Sequence, residues 1–552
     1  MPTINFSFRD LQELIGKRLT IDELKDLLSY CKAEFEDYDT ASDEVKADFG
    51  DTNLPYLWSV EGVARLLKGV LNLDRGIPPI RFSKNGYKII VDKSTKKVRP
   101  YIAAFVAKSY NINESFLKQL IQLQEKLCEN YGRKRKKVSI GLYSYKRVKF
   151  PVHYKAVPPD SIKFTPLEGT KELNLSQILE QHPKGIEYAK ILKGFDKYPI
   201  LIDSAGEVLS FPPIINSNFS GKVEIGDEEL FFEVTGDDQD AILLATNIFA
   251  QALYERSFEL FSVDIRYSDK RITTPSLFKD KLKITTEDVT NLLGLDLKDT
   301  EIKALLEKAR YDYNKGSVQV PPYRKDILHK VDVIEDIGIM YDYNKIEELP
   351  LKSYTIGETL PITNFIDKIR ELIVGFGYQE LLNPMLSNKE LLYKKMNTQD
   401  FGTVEISKYL SETYSVVRTW LLPILLEFLS KNKHVEYPQK IFEQGLVTCR
   451  KEDKIIDYER LAVISAHSEA DFTEIKKVLD ALTRSLGITY TIEETEHSSF
   501  IPGRVGRVII KNRKVAYIGE LCPKVIGNFG IEVPVVGLEL NLTELYEATK
   551  TD

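Results

Sequence analysis

Cysteine is scarce in this sequence of 552 residues. The four cysteines lie far apart, and no two of them form a Cys-x-x-Cys pair; they are Cys31, Cys128, Cys449 and Cys522. Structural zinc sites and disulfide frameworks both depend on paired or closely spaced cysteines. The sequence therefore argues against both kinds of site and fits a reducing compartment.

Long apolar runs are also missing. No stretch approaches the roughly 18 apolar residues that a transmembrane helix requires. The first ten residues, MPTINFSFRD, contain no apolar signal core. Hydrophobic residues nevertheless make up 43% of the chain, which is enough for packed cores, and the length suggests roughly three to five domains. We therefore expect a soluble, cytoplasmic, multidomain protein with no membrane partner.

An excess of positive charge is absent as well. Lys and Arg total 76 against 82 Asp and Glu, for a formal net charge of -6. The whole surface therefore does not attract nucleic acid, and any RNA contact must be local or shared with a partner. One dense cationic run exists, formed by Arg133, Lys134, Arg135, Lys136 and Lys137. It is either a phosphate contact that weakens steeply with salt or a solvated loop that leads into a strand.

Four carboxylates are concentrated within residues 322–341. If a helix begins shortly after Asp326, then Asp332, Glu335 and Asp336 stand at i, i+3 and i+4 and share one face. Like charges this close cost free energy unless a cation or a basic partner offsets them, and oxygen ligands suit Mg²⁺. The alternative is an acidic first turn that complements the helix dipole. The apolar anchors of this helix are expected to be Val333, Ile334 and Ile337.

Residue patterns divide the chain into four regions and predict an α+β, multidomain fold. Residues 1–85, which include a polar stretch at 34–51, suggest a small mixed α/β domain. Residues 86–267 alternate like strands, with turns marked by proline, and predict one α+β domain. Residues 350–552 alternate amphipathic helices with strands and predict an antiparallel sheet with flanking helices.

The remaining region, residues 268–345, predicts a compact module. Thr285 and Asp288 form a capping box for a helix that Gly294 closes, and a second helical pattern follows. Ser317–Val320 alternates like a strand. Two short helices and a strand suggest a winged helix-turn-helix-like unit, an architecture that binds nucleic acid in some proteins and serves only packing in others.

Several motifs, taken in order, resemble the beta subunit of phenylalanyl-tRNA synthetases of the archaeal and eukaryotic cytosolic type. The acidic segment matches a Pro-x-Tyr-Arg-x-Asp-Ile motif followed by an Asp-x-x-Glu-(Glu/Asp) helix, and residues 53–65 match a second motif in which Leu54 and Tyr56 replace Arg and Asp. The resemblance covers nearly the whole chain. Further matching segments are residues 365–372, 375–380, 418–423, 442–445 and 519–523.

The resemblance implies a metal site. It implies that Asp326, Asp332, Glu335 and Asp336 bind a Mg²⁺ ion shared with the alpha subunit. It also implies an assembly of two alpha and two beta chains that binds tRNA(Phe). In that assembly the cationic run is a candidate contact for the tRNA acceptor arm.

The last region lacks the residues that a class II synthetase uses to hold ATP. Such a core clamps the phosphates with an Arg in a Phe-x-Arg-x-Glu-type element and another in a Gly-x-Gly-x-x-Arg helix start. This chain has Phe442-Glu443 and no such helix start, while the Gly/Pro cluster at 502–507, with Arg504 and Arg507, predicts a turn between strands. We therefore expect a catalytic-like class II domain that is inactive for aminoacylation, with ATP and Phe bound by the alpha subunit.

The resemblance also identifies residues 86–267 as an editing domain. Tyr differs from Phe only by a hydroxyl, so hydrolysis of mischarged Tyr-tRNA(Phe) at a second site is a sensible supplement to selection by binding. Alternatively, the polar residues of this region cap turns around a strand pair. The candidates for recognising the phenol and orienting a water are Asp203, Ser210, Asn216, Thr235 and Asp237.

The resulting prediction is the beta subunit of a phenylalanine-tRNA ligase that supports ATP-dependent attachment of Phe to tRNA(Phe). Two alternatives from other classes remain. A non-enzymatic winged-helix nucleic-acid-binding protein would be a monomer with useful affinity alone. A freestanding hydrolase of mischarged tRNA would cleave the ester without a partner.

Overall fold

The computed structural model describes residues 2–550 and has a mixed α/β architecture of two units, Met1–Leu349 and Pro350–Asp552. The helices are α1 Phe8–Ile15, α2 Ile21–Leu28, α3 Val60–Val70, α4 Glu114–Lys126, α5 Leu175–Gln181, α6 Pro183–Tyr188, α7 Gln239–Glu255, α8 Thr286–Leu293, α9 Asp299–Lys308, α10 Lys330–Tyr341, α11 Pro361–Gly375, α12 Leu422–Lys431, α13 Phe472–Ser485, α14 Pro523–Asn528 and α15 Leu542–Thr549. The strands of the first unit are β1 Thr3–Ser7, β2 Ala33–Asp39, β3 Glu44–Phe49, β4 Ser83–Val91, β5 Tyr101–Lys108, β6 Val138–Ser144, β7 Val152–Val157, β8 Lys163–Phe164, β9 Leu173–Asn174, β10 Tyr198–Ile202, β11 Val208–Phe211, β12 Ile215–Asn216, β13 Leu230–Gly236, β14 Glu259–Arg266, β15 Arg271–Thr274, β16 Lys281–Lys283, β17 Asp312–Asn314 and β18 Ser317–Gln319. Those of the second unit are β19 Gln379–Glu380, β20 Leu386–Ser387, β21 Val416–Val417, β22 Gln439–Lys451, β23 Lys454–Ala466, β24 Thr491–Glu494, β25 Phe500–Ile510, β26 Arg513–Leu521 and β27 Val535–Asn541.

The first unit begins with a three-stranded antiparallel sheet in the order β1-β3-β2. The polar stretch at 34–51 forms most of β2 and all of β3. Val45 and Ala47 are fully buried, whereas Glu44 and Lys46 are exposed and Asp48 is half-buried. A short alternation within a polar composition was therefore sufficient to fix a strand.

The largest sheet has ten strands in the order β12-β11-β10-β7-β4-β14-β5-β13-β6, with β15 paired to β14. The predicted strand alternation after residue 86 is confirmed in β4, which runs parallel to β14 and to β7. The long helix α7 packs on β5 and β13. At that contact the ring centroid of Phe232 lies 4.7 Å from that of Phe105 and 4.6 Å from that of Phe249. The two ends of this sheet, β11 and β12 at one end and β13 and β6 at the other, approach each other at the site described below.

The short helices and the acidic helix of the 268–345 region form as predicted. The hydroxyl of Thr285 accepts a hydrogen bond from Asp288 N at 3.1 Å, and the Asp288 carboxylate accepts one from Thr285 N at 3.0 Å. Gly294 closes α8 with φ of 71°, a left-handed conformation that favours glycine. The predicted apolar anchors of α10 are buried. The sheet of this region has the order β16-β18-β17.

The second unit contains a seven-stranded sheet in the order β19-β22-β23-β27-β26-β25-β24, antiparallel except for the β19–β22 pair. Helices α11, α13 and α15 share an apolar core on one face of the sheet, and α12 belongs to a second core. Across residues 2–550, no helix is long and apolar enough to cross a membrane.

The predicted turn at residues 502–507 is wrong. The whole segment lies inside β25, whose pairing with β26 shifts between Phe500 and Val505. Gly503 has φ of 74°, so the Gly/Pro cluster marks a bulge within one strand. A bulge and a turn call for the same residues, which is why composition did not separate them. As a result Arg507 lies on the sheet and not in a loop.

Candidate functional site

A cavity of about 560 Å³ lies where the two ends of the ten-stranded sheet approach each other, between α4, β6 and the segment after β11. Its apolar lining includes Leu117, Ile121, Ile140, Leu142, Pro212 and Ile214. Its polar lining includes Gln124, Ser139, Ser210, Asn216 and Glu233. Charged residues, among them Glu168, Lys184 and Lys222, line it as well. A cavity that combines apolar walls with convergent polar groups is typical of a site for a small molecule or a side chain.

Glu233 is the most unusual polar group of this cavity. It is 2% exposed, and its Oε1 accepts a hydrogen bond from the Tyr143 hydroxyl at 2.9 Å. Its Oε2 is buried and has no hydrogen-bond partner among residues 2–550. Burial raises the pKa of Glu233 from 4.5 to about 7, against the opposing effects of Tyr143 and Arg99. Near neutral pH this carboxyl is therefore present in both forms, one of which donates a hydrogen bond while the other only accepts.

Two neighbouring strands create the space for this carboxyl. Glu233 in β13 stands opposite Gly141 in β6. A Cβ atom at Gly141 would lie 2.4 Å from Glu233 Oε1 and 2.4 Å from the Tyr143 hydroxyl oxygen. Glu233 was not identified as a site residue from the sequence. The signal that could have found it is a lone carboxylate inside an otherwise apolar, fully buried strand.

Two of the predicted editing residues reach the same cavity. Ser210 and Asn216 face each other in the register of β11 and β12. Ser210 is 1% exposed, and its hydroxyl interacts with the Tyr143 hydroxyl, which also donates to Glu233. The Asn216 side-chain amide donates to the Leu142 carbonyl at 3.2 Å. The structure thus brings Ser210 and Asn216 to the cavity lined by Glu233.

The other three editing candidates do not line the cavity. The buried Asp203 carboxylate accepts backbone hydrogen bonds from Ala205 and Lys149 and so caps the turn between β10 and β11. The Thr235 hydroxyl is fully buried and accepts a hydrogen bond from Arg99 Nε at 2.9 Å. Asp237 is exposed. Asp203 fits the turn-capping alternative, and Thr235 anchors a buried arginine.

The cationic run separates into two parts. Arg135 donates to the Ile214 carbonyl at 2.9 Å and so braces a wall of the cavity, while Lys137 forms an ion pair with Asp238 at 3.1 Å. The exposed part of the run consists of Arg133, Lys134 and Lys136. These three side chains line a second cavity of about 560 Å³.

The backbone of the cationic loop is strained. The φ angles at 133, 134 and 135 are 51°, 52° and 65°. Each left-handed residue other than glycine costs roughly 1–2 kcal/mol. Backbone hydrogen bonds hold the loop, among them Lys134 N to the Glu129 carbonyl at 2.9 Å. Strain of this kind is concentrated at functional sites.

Two of the four predicted metal ligands, Asp326 and Asp336, are paired with one buried arginine. Arg324 is 5% exposed and contacts both Asp326 and Asp336, the latter at 2.6 Å. The Tyr311 hydroxyl also donates to Asp336 at 2.6 Å. Burial opposes the charge of Arg324, yet Asp336 and the groups around it hold its pKa well above the usual value. Tyr56, which departs from the family motif, lies with its ring 5.1 Å from this guanidinium.

The other two predicted ligands, Asp332 and Glu335, make contacts that are more exposed to solvent. Asp332 caps its own helix by accepting backbone hydrogen bonds from Leu328 and His329 at 2.7 and 2.8 Å. Glu335 is exposed and forms an ion pair with Lys32 at 2.9 Å. Among residues 2–550 there is no group of three or more His, Cys, Asp or Glu side chains arranged to hold a metal ion. The four carboxylates therefore do not form a complete metal site within this chain, and the predicted Mg²⁺ site stays a prediction.

Comparisons with known proteins identify the family. Residues 282–343 match the model of the tRNA synthetase B5 domain, and residues 346–542 match that of the phenylalanyl tRNA synthetase beta chain CLM domain. The phenylalanine–tRNA ligase beta subunit of Pyrococcus abyssi is 44% identical over 556 residues, covering 99% of this chain and 100% of the relative. That of Methanococcoides burtonii is 38% identical with the same coverage. The crystal structure of an N-terminal fragment of the phenylalanyl-tRNA synthetase beta subunit from Pyrococcus horikoshii is 40% identical, with a TM-score of 0.60, and covers 62% of this chain and 100% of the fragment. The chain therefore belongs to the family of phenylalanine–tRNA ligase beta subunits.

Proposed function

We propose that the chain joins an alpha subunit, as two alpha and two beta chains, and supports the ATP-dependent attachment of Phe to tRNA(Phe) in the cytoplasm. The match to beta subunits over their whole length carries this proposal. Exposed apolar side chains on the second unit support a protein partner, because such residues mark interfaces. They lie in the neighbouring segments around β20 and β21 and are Leu382, Met385, Leu386, Tyr409, Leu410 and Tyr414.

The second unit is proposed to be a catalytic-like class II domain that does not hold ATP. Arg418 is 2% exposed and forms an ion pair with the fully buried Glu443. It also donates from Nε to the Leu446 carbonyl at 2.9 Å. A guanidinium committed to the core in this way is not available to clamp phosphates. The adenylation site is therefore assigned to the alpha subunit.

The experiment compares this chain, the alpha subunit and their mixture. Phe-tRNA(Phe) is expected to form only in the mixture, and light scattering is expected to give the mass of two alpha and two beta chains. Phe-tRNA(Phe) formed by this chain alone would contradict the proposal. The winged-helix alternative for residues 268–345 would be favoured by two results together. The chain would be a stable monomer that binds nucleic acid alone, and adding it to the alpha subunit would not increase the ligation activity of the alpha subunit.

The cavity around Glu233 is proposed to hydrolyse Tyr-tRNA(Phe). A tyrosine side chain brings a phenol hydroxyl that pairs with the free oxygen of Glu233, whereas phenylalanine leaves that buried oxygen unpaired, which costs about 1–3 kcal/mol. Ser210 and Asn216 offer polar atoms that orient the ester or a water molecule. Water then adds to the ester carbonyl, and the bond to the ribose oxygen breaks.

The same assay separates the editing proposal from the freestanding hydrolase. Tyr-tRNA(Phe) is incubated with the assembled enzyme and with this chain alone. Hydrolysis by the assembly, with little by the isolated chain, supports editing within the ligase. Equal hydrolysis by the isolated chain would favour the freestanding enzyme, and no hydrolysis in either would contradict the editing role.

The exposed cations and the acidic helix are assigned to tRNA and Mg²⁺. Arg133, Lys134 and Lys136 are proposed to contact tRNA phosphates. This chain's part of a Mg²⁺ site is proposed to consist of Asp332 and Glu335 together with Asp326 and Asp336. The site needs oxygen ligands from the alpha subunit to be complete.

A further inference from the structure

The second unit contains a cavity of about 310 Å³ to which neither the family motifs nor the proposed function assigns a role. It lies over the adjacent strands β23, β27, β26 and β25. Tyr517 in β26 stands opposite both Arg507 in β25 and Glu539 in β27. Arg460 in β23 pairs with Asn541 in β27. Because Asn541 is two residues after Glu539, the two side chains lie on the same face of the sheet. Four strands thus place charged and aromatic side chains on one face of the sheet, where they line the cavity.

The cationic groups of this cavity are incompletely paired. Arg460, Arg507 and Lys514 line it, against the single carboxylate of Glu539. Glu539 is fully committed: Oε1 accepts from Arg460 Nη1 at 2.9 Å, and Oε2 accepts from the backbone N of Leu421 and of Leu422 at 3.1 and 2.9 Å. The cavity therefore keeps a net positive charge.

Two guanidinium nitrogens lack an acceptor. Arg460 Nε and Arg507 Nε are buried and make no hydrogen bond to any part of the chain from 2 to 550. Arg507 is otherwise held in place, since its Nη2 donates to the Lys514 carbonyl at 3.0 Å and its guanidinium carbon lies 4.0 Å from the Tyr517 ring centroid. A buried donor without a partner costs about 1–3 kcal/mol. The two guanidinium groups therefore have fewer acceptors than donors, and an anion beside them would offset their charge.

Aromatic rings complete the cavity. The His497 ring centroid lies 5.9 Å from that of Trp420, 5.3 Å from Phe500 and 4.8 Å from Tyr517. Burial and, to a lesser degree, Arg507 lower the pKa of His497 to about 4, so this ring is neutral near pH 7. The aromatic wall therefore presents flat apolar surface directly beside the cations.

We infer that this cavity binds a small planar aromatic molecule that carries one anionic group, with the anion at Arg460 and Arg507 and the ring beside Trp420 and His497. The volume is at the lower limit of small-molecule sites, which begin at about 300 Å³. It suits one ring system with one acid group. A phosphate or a carboxylate satisfies the same donors.

Trp420 provides the readout, because the chain contains only two tryptophans. In the full-length chain with Trp58→Phe, all tryptophan fluorescence comes from the cavity. AMP and benzoate are the anionic probes, and adenosine and benzamide are their uncharged counterparts. A saturable fluorescence change with AMP, benzoate or both is expected, with much weaker binding of the uncharged counterparts. Calorimetry on the unsubstituted chain repeats the test if Trp58→Phe does not fold.

Variants decide whether the guanidinium groups hold the anion. Arg507→Gln is expected to weaken binding by about 10- to 100-fold, since it removes a charge-assisted hydrogen bond. Arg513→Gln is the matched control, because Arg513 lies in the same hairpin outside the cavity and pairs with Glu544. Lys514→Gln, at an exposed position of the lining, replaces Arg507→Gln if that variant does not fold, and a several-fold loss is expected.

Three results would overturn the inference. The first is the absence of saturable binding by either anion. The second is equal affinity for the charged and the uncharged probes. The third is the same affinity in Arg507→Gln and Arg513→Gln, with both variants folded.

Discussion

The acidic cluster around Arg324 and the cavity around Glu233 treat buried charge in opposite ways. Arg324 lies between Asp326 and Asp336 and donates to both, and the Tyr311 hydroxyl donates to Asp336 as well. Glu233 is equally buried, yet one of its oxygens has no partner within the described residues. In the first arrangement each charge depends on its partners, and in the second, under the proposed function, a costly group is available to a ligand. Pairing therefore separates structural from functional charge better than residue type does.

Removing the centre of the paired cluster gives the largest expected effect on stability. Arg324→Met leaves two buried carboxylates without their cation, and the free energy of unfolding of the unit is expected to fall by about 3–5 kcal/mol. Urea denaturation measures it. Arg271→Met is the control, because the Arg271 side chain is 60% exposed in its ion pair with Asp264, and pairs with an exposed partner contribute about 1 kcal/mol or less. Equal losses in the two variants would remove the distinction between the regions.

The buried carboxyl of Glu233 predicts that the free energy of unfolding falls as the pH rises. The folded pKa of Glu233 is raised from 4.5 to about 7, so its contribution to stability is fully present below pH 4.5 and is lost as the pH rises to 7. The loss amounts to roughly 3 kcal/mol. Glu233→Gln does not titrate and is expected to lose this slope. Urea midpoints of both proteins between pH 4.5 and pH 8 measure the difference, and parallel curves would contradict a raised pKa.

The cationic run offers a comparison within one loop. Changing Arg133, Lys134 and Lys136 together to Gln is expected to reduce the slope of log affinity for tRNA against log salt by about 2 to 3. Lys137→Gln is the control, because Lys137 is already paired with Asp238. Filter binding over a salt series measures both. An unchanged slope in the triple variant would favour the solvated-loop interpretation.

The acidic helix gives the smallest expected effect on stability. Asp332→Ala removes a helix cap, which costs about 1 kcal/mol, whereas Asp332→Asn keeps an acceptor for the cap and removes the charge. Both variants are expected to raise the Mg²⁺ concentration needed for ligation by the assembled enzyme. Unchanged Mg²⁺ dependence in both would count against the metal site.

The sequence predicted local structure better than side-chain partners. The capping box at Thr285 and the buried face of α10 follow from spacing along the chain, and both are confirmed. The role of Glu233 depends on β6, β13 and Gly141 meeting across the sheet, which spacing does not encode. The strand bulge at Gly503 was taken for a turn because both conformations use the same residues. Long-range pairing, and with it the choice between structure and function, appears only once the sheet has formed.

The selectivity of ester hydrolysis tests the central claim most directly. The rates for Tyr-tRNA(Phe) and Phe-tRNA(Phe) are measured with the assembled enzyme carrying Glu233→Ala, with the exposed Glu228→Ala as control. The preference for Tyr is expected to fall by about 10- to 100-fold in Glu233→Ala, with ligation of Phe retained and Glu228→Ala unchanged. An undiminished preference for Tyr in Glu233→Ala would contradict the claim that this unpaired carboxyl recognises the phenol.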